Sequence, residues 1–191
     1  WPYRIPSLLA AIIAVIGTYS LANVFLRPPG GIIAAIILSS TPLLIGEAHM
    51  AKSDALLLAS VVIAQFGLIR TYRNHVSWLN WLCLWGGIGL GVMIKGPVTP
   101  LVIFLTVLVV SIIYREVKWV LKLRPLSGFS LVACICLPWI ISIQIQSSGE
   151  FLQSSLGQDL LPKLLSGVES HGLPPGYYLL LALITLWPGS L

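Results

Sequence analysis

The chain has 191 residues, of which 57% are hydrophobic and only 9% are charged, and its net charge is +5. A soluble globular domain carries about 25% charged residues. The composition therefore excludes an ordinary soluble domain and indicates an integral membrane protein. Seven Trp and six Tyr residues fit a protein that needs aromatic anchors at the membrane interface.

Seven apolar segments follow one another along the chain, near residues 5–26, 30–45, 54–69, 78–94, 97–114, 126–145 and 176–191. A membrane-spanning helix needs about 20 apolar residues, so the shorter segments leave a re-entrant or fully buried course open. We predict an all-α membrane protein with about seven transmembrane segments in one region over residues 1–191. Because the sequence starts without Met and ends inside an apolar segment, we expect an internal fragment of a longer protein.

The connections between the segments differ in charge. If they alternate sides, seven of the eleven Lys and Arg residues share one side, namely Arg27, Arg70, Arg73, Arg115, Lys118, Lys122 and Arg124. Positive charge in short loops marks the cytoplasmic side. The opposite, outer side holds five of the six acids: Glu47, Asp54, Glu150, Asp159 and Glu169. The positive net charge thus indicates membrane orientation and requires no nucleic-acid partner.

Two polar clusters on the predicted outer side carry groups suited to chemistry. The first runs from Glu47 to Asp54, in a predicted connection over residues 46–53, and the second lies in a predicted outer loop over about 146–175. Ionisable groups at helix ends are costly unless they are paired, hydrated or liganded. Cations there can hold the phosphate of a lipid carrier, and a carboxylate can act as general base toward an acceptor hydroxyl or amine. These groups are the parts required for transfer from a lipid phosphate.

Four motifs occur in order along the chain: Glu47-Ala-His-Met-Ala-Lys-Ser-Asp-Ala-Leu56, Gly89-Leu-Gly-Val-Met-Ile-Lys-Gly-Pro97, Leu137-Pro-Trp139 and Ser170-His-Gly-Leu-Pro-Pro-Gly-Tyr-Tyr178. Together they resemble bacterial membrane glycosyltransferases of family 39, which include the lipid A aminoarabinose transferases and are similar to protein O-mannosyltransferases. The resemblance implies a GT-C fold in the bacterial inner membrane, with the active site at the periplasmic face. It also implies a polyprenyl-phosphate sugar donor and a lipid A-like or protein acceptor.

The same resemblance implies roles for eight residues: Asp54 and His171 in catalysis, Lys52, Lys95 and Lys163 in binding the donor phosphate, and Glu47, Asp159 and Glu169 in support. The main catalytic Asp of the family would precede Trp1. No cofactor is required. A divalent metal is compatible with the acids and imidazoles, although no ligand spacing demands one.

Each candidate also has a structural interpretation. Asp54 opens a predicted helix, where capping and the helix dipole favour an acid. Lys95 fits a helix-end lysine that extends its ammonium toward water. Asp159 and Lys163, four residues apart, fit a surface pair on a helix. His171 fits a structural hydrogen bond to the backbone as well as it fits catalysis.

Two other protein classes stay open. A flippase for polyprenyl-linked sugars, or another membrane transporter, would also have many helices. Such proteins place ionisable groups or broken helices near the membrane midplane, whereas the charges of this chain lie at predicted helix ends. A noncatalytic membrane scaffold would need no clustered acids and cations on its outer side.

Overall fold

The structure is a computed structural model that describes residues 2–50, 52–146 and 177–190. Its α-helices in these ranges are α1 (Ile5–Phe25), α2 (Gly30–Ser40), α3 (Pro42–His49), α4 (Asp54–Tyr72), α5 (Trp78–Lys95), α6 (Val98–Tyr114), α7 (Pro125–Gln146) and α8 (Tyr177–Thr185). Short 3-10 helices occupy Pro2–Arg4 and Lys118–Leu123. Because these ranges contain no strand, the predicted all-α class is confirmed.

Several of these helices are suited to a bilayer. Among the described residues, α1, α4 and α7 are long and apolar enough to cross a membrane, with mean hydropathies of 2.0, 1.6 and 2.1. The consecutive helices α2 and α3 qualify together as one bent span, whereas α6 is apolar but has only 17 residues. The predicted membrane character is therefore confirmed, and the number of about seven spans stays a prediction.

Glycines allow the antiparallel helices α4 and α5 to pack closely. A Cβ atom added to Gly67 of α4 would collide with the backbone at Asn80 and Leu84 of α5. A Cβ atom at Gly87 of α5 would lie 2.9 Å from the carbonyl oxygen of Ser60. Membrane helices associate through such small residues because these let the backbones come into van der Waals contact.

Helices α1 and α4 run parallel, with contacts at both ends. The Ser7 hydroxyl donates to the carbonyl of Lys52 at 3.0 Å, and Nη2 of Arg73 donates to the carbonyl of Val24 at 3.1 Å. A seam of four buried alanines fills the space between the two bonds: Ala10, Ala14, Ala55 and Ala59. The return crossing from α1 to α4 is made by α2 and α3.

The break between α2 and α3 lies at Thr41, where the chain bends by 60°. Pro42 cannot donate a backbone hydrogen bond, and it disfavours a helical conformation at the residue before it. Thr41 is accordingly extended, with ψ of 130°, and its buried hydroxyl donates to the carbonyl of Leu38 at 2.8 Å. The apolar segment predicted at 30–45 is thus two helices joined at a bend.

The structure also moves two predicted boundaries. Residues 46–49, predicted as connection, form the last turn of α3, and residues 70–72, also predicted as connection, form the last turn of α4. Neither stretch contains a proline, so both helices continue through polar residues until the chain reaches the next turn. Glu47 therefore projects from a helix and not from a loop.

The connection from α6 to α7 is packed against the bundle. Its 3-10 helix carries Trp119 and Leu123, which are both buried. Nε1 of Trp85 in α5 donates to the carbonyl of Leu123 at 2.8 Å, and the Trp119 ring meets Tyr72 edge to face at 5.1 Å. This aromatic group anchors the connection to the last residue of α4 and to the middle of α5.

The helix directions divide the charged groups between two ends of the molecule. We call one the basic end, which carries Arg27, Arg70, Arg73, Arg115, Glu116, Lys118, Lys122 and Arg124. The other, the Asp54 end, carries Arg4, Glu47, His49, Lys52, Asp54 and Lys95. The contacts between Tyr72 and Tyr114 at one end and between Asp54 and Lys95 at the other fix this division.

Candidate functional site

At the Asp54 end, the antiparallel pairing of α4 and α5 brings an acid and a base together. Asp54 is the first residue of α4 and Lys95 is the last residue of α5. The ammonium Nζ of Lys95 lies 2.5 Å from Oδ1 of Asp54, and both side chains remain partly exposed. An exposed ion pair contributes only about 0–1 kcal/mol to stability. The two groups are therefore accessible to a ligand without a large cost to the fold.

A second acid and base lie beside the first pair. The ammonium of Lys52 is 3.8 Å from Oε1 of Glu47, whose side chain is only 17% exposed. The other carboxylate oxygen of Glu47, Oε2, is buried and has no hydrogen-bond partner among the described residues. A buried polar atom without a partner carries a desolvation cost, which a bound hydroxyl or water would relieve.

Two local contacts position this second pair. The bond from Ser7 to the Lys52 carbonyl fixes the short connection between α3 and α4 against α1. The ring nitrogen Nδ1 of His49 lies 2.7 Å from the carbonyl oxygen of Ile45, within its own helix. The exposed imidazole of His49 thus has one nitrogen in contact with α3, and its other nitrogen has no hydrogen bond to the residues that the structure describes.

The two carboxylates share a cavity of about 330 Å³ between the α2–α3 bend and α4. Thr41, Glu47 and Asp54 supply its polar wall, and the remainder is apolar, formed by Leu38, Leu43, Leu44, Ala55, Leu58 and Leu186. An apolar cavity with a few convergent polar groups is the usual form of a small-molecule site. We refer to it as the Glu47–Asp54 cavity.

An apolar groove of about 300 Å³ lies on the other side of α3. Its walls come from α1 and α3, including Ile12, Ile16, Leu44 and Ile45, and His49 lies at its edge. Leu44 lines both this groove and the Glu47–Asp54 cavity. The polar groups of the Asp54 end are thus flanked by surfaces that accept hydrocarbon.

Of the eight residues predicted for the site, the structure brings Glu47, Lys52, Asp54 and Lys95 to one end of the bundle. The other four, Asp159, Lys163, Glu169 and His171, lie outside the described residues. The sequence identified Asp54 and Lys95 as separate candidates but did not predict that they pair. The pairing could have been found by folding the two segments about residues 73–77, since Asp54 and Lys95 lie at nearly equal distances from that turn. Nothing in the sequence indicates that Ser7 contacts the Lys52 carbonyl or that Thr41 lines the cavity.

The described part of the chain contains no group of three or more His, Cys, Asp or Glu side chains that could hold a metal ion. Because Asp159, Glu169 and His171 lie outside the described residues, the divalent metal stays a prediction.

A comparison with protein families agrees with the first three of the four motifs, which lie in the matched range. The family model described as dolichyl-phosphate-mannose-protein mannosyltransferase matches residues 1–141, the range that contains all four described site candidates. No match was found among curated proteins or among solved structures. Since the matched range exceeds half of the chain, the protein belongs to the dolichyl-phosphate-mannose-protein mannosyltransferase family, a family of GT-C membrane glycosyltransferases.

Proposed function

We propose that the protein transfers a sugar from a polyprenyl-phosphate donor to a lipid A-like or protein acceptor. The proposed location is the bacterial inner membrane, with the Asp54 end at the periplasmic face. Family membership supports a membrane glycosyltransferase. The observation that carries the finer proposal is the Glu47–Asp54 cavity, where apolar walls meet two carboxylates that are each paired with a lysine.

The apolar and polar parts of the donor would bind to different surfaces of the Asp54 end. Its isoprenoid chain fits the groove between α1 and α3, and its phosphate fits beside Lys52 and Lys95. A lysine ammonium has three N–H donors. Asp54 accepts one from Lys95, so two remain for phosphate oxygens. Such cations stabilise the charge that develops on a departing phosphate.

The transfer is a displacement at the anomeric carbon. The acceptor oxygen or nitrogen forms a bond to this carbon while the carbon–oxygen bond to phosphate breaks, and the phosphate leaves with the bonding electron pair. A carboxylate removes the proton of the acceptor as general base. We assign a part in this proton transfer to Asp54 and His171, with Glu47, Asp159 and Glu169 in support and Lys163 as a further phosphate ligand.

A flippase for the same donor is the second candidate, because one observation favours it. Transporters place broken helices at their binding sites, and the α2–α3 pair is broken at Thr41 with a bend of 60°. Glu47 and Asp54 line a cavity together with Thr41 of this break, but each is paired with a lysine at a helix end, and the family model describes a transferase. The transferase therefore remains the better supported function.

A transfer assay separates the two functions. The full-length protein in proteoliposomes would be given labelled polyprenyl-phosphate sugar together with lipid A and protein acceptors. Label that moves onto an acceptor supports the transferase and identifies the acceptor class. Label that crosses the bilayer on its original carrier supports the flippase, and a protein that leaves every donor unbound contradicts both.

A further inference from the structure

At the basic end, far from the proposed catalytic groups, α1 and α4 enclose a second polar cavity of about 360 Å³. Its walls are formed by Ser20, Asn23, Val24, Arg70, Arg73 and His75. Two arginines and no carboxylate line it. Small-molecule sites have volumes of about 300–1,000 Å³, so the space suffices for a compact polar group.

Both arginines are held in place by other groups. The guanidinium of Arg70 lies 5.2 Å from the centre of the Phe66 ring, and that of Arg73 lies 5.4 Å from the centre of the Phe25 ring. Arg73 also donates to the carbonyl of Val24. A cation over an aromatic face is attracted by the ring. The two guanidinium groups are therefore oriented before a ligand binds, which lowers the entropy cost of ligand binding.

These arginines lack an acidic partner in the described ranges. The two ion pairs found there, Glu47–Lys52 and Asp54–Lys95, both lie at the opposite end. In addition, Nε of Arg70 is buried and receives no acceptor among the residues that the structure describes. Because two guanidinium groups and no carboxylate line the cavity, it is suited to an anion with several acceptor oxygens.

We propose that this cavity, the Arg70–Arg73 cavity, binds the phosphate of an anionic phospholipid headgroup. Arginine is the side chain that binds phosphate oxygens in a bidentate manner. Arg70 lies in the last turn of α4, a helix suited to span the membrane, and is therefore placed at headgroup depth. Basic pockets between membrane helices bind anionic headgroups in this way.

The surroundings favour a lipid over a soluble phosphate. Phe25 and Leu26, next to the cavity at the end of α1, are more than half exposed and offer an apolar surface for acyl chains. The exposed amide of Asn23 supplies a donor for the glycerol part of a headgroup. Phosphatidylglycerol combines these features, and phosphatidylcholine has the same phosphate without the net negative charge.

The test measures lipid binding to the full-length protein in detergent by native mass spectrometry. Phosphatidylglycerol is titrated against Arg70→Gln/Arg73→Gln and against the control Arg115→Gln/Lys118→Gln, which removes the same charge at the same end but outside the cavity. We expect about a tenfold loss of affinity in the first variant and little change in the control. An equal loss in both variants would show general surface attraction and overturn the proposal.

Two further arms make the result specific. Arg70→Lys/Arg73→Lys keeps both charges but removes the guanidinium forks, and we expect it to lose affinity as well. This variant decides the question if the glutamine variant fails to fold, as judged by circular dichroism and elution volume. Inorganic phosphate is added as a competitor. Equal binding of phosphatidylcholine, or full displacement by millimolar phosphate, would contradict a site for an anionic lipid.

Discussion

Lys95 donates a 2.5 Å hydrogen bond to Asp54 across 41 positions of sequence and joins the last residue of α5 to the first residue of α4. Each charge lies at the helix end whose dipole stabilises it, the acid at an N-terminus and the base at a C-terminus. The antiparallel packing of α4 and α5 thus produces a pre-formed acid–base pair. The same packing leaves the pair at the surface, beside a cavity.

Replacing the Asp54 carboxylate tests its proposed chemical role. We expect Asp54→Asn to lower kcat for sugar transfer by about 100-fold or more, because a general base contributes about 10²–10⁴-fold. The midpoint of thermal unfolding should change little, since an exposed ion pair contributes about 0–1 kcal/mol. Glu116→Gln, a change of the same kind at the basic end, is the matched control. Normal turnover by Asp54→Asn would contradict the role.

Exchanging the two charges separates an ion pair that only supports the fold from one that acts on substrate. In Asp54→Lys/Lys95→Asp the pair can form again, although each charge then opposes its helix dipole at a cost of about 0.3–1 kcal/mol per end. We expect the exchanged protein to fold and to stay inactive in the transfer assay. Recovery of activity relative to the single variants would identify the pair as structural.

The close approach of α4 and α5 predicts a different sensitivity at two glycines. Gly67→Ala would force a methyl group into the backbone of α5, and we expect a destabilisation of about 1–3 kcal/mol. Gly86→Ala is the control, since its Cβ would meet only a side-chain atom of Leu82 at 3.8 Å. Its expected effect is neutral or stabilising by up to about 1 kcal/mol. Thermal unfolding in detergent measures both, and equal values would refute the packing.

The anchor of the α6–α7 connection can be tested through one indole. Trp85→Phe keeps an aromatic ring but leaves the Leu123 carbonyl without its donor, for an expected loss of about 1–3 kcal/mol. Trp78→Phe is the matched control, because Trp78 is 68% exposed. Urea or heat unfolding of the two variants should differ by this amount. A similar stability would show that the hydrogen bond contributes nothing.

Much of the helical architecture could be predicted from local sequence. The apolar segments form helices, and Asp54 and Lys95 lie at helix ends as expected, with Gly96 ending α5 at φ of 68°. The pairing of helices could not be predicted in this way. It depends on contacts such as Gly67 against Asn80, which join positions far apart in sequence and leave no periodic pattern.

The same limit applies to the site. The resemblance to a family identified Glu47 and Lys52 as candidates, but their side-chain environment follows from the bend at Thr41 and from the extent of α3. Because the sequence pattern predicts a connection at Glu47, it does not predict that this side chain is largely buried beside an apolar cavity. Local patterns identify ionisable residues, whereas burial arises from the three-dimensional packing.

The bend at Thr41 also means that the length of α3 determines where Glu47 lies in the site. Its eight residues begin at Pro42, so Glu47 has a fixed angular position relative to the bend. One residue inserted between positions 42 and 47 would rotate Glu47 by about 100° around the helix axis and turn it away from Asp54. The site therefore depends on the length of this short helix as well as on its carboxylates. An insertion there would change which side chains face the cavity, although no side chain would be replaced.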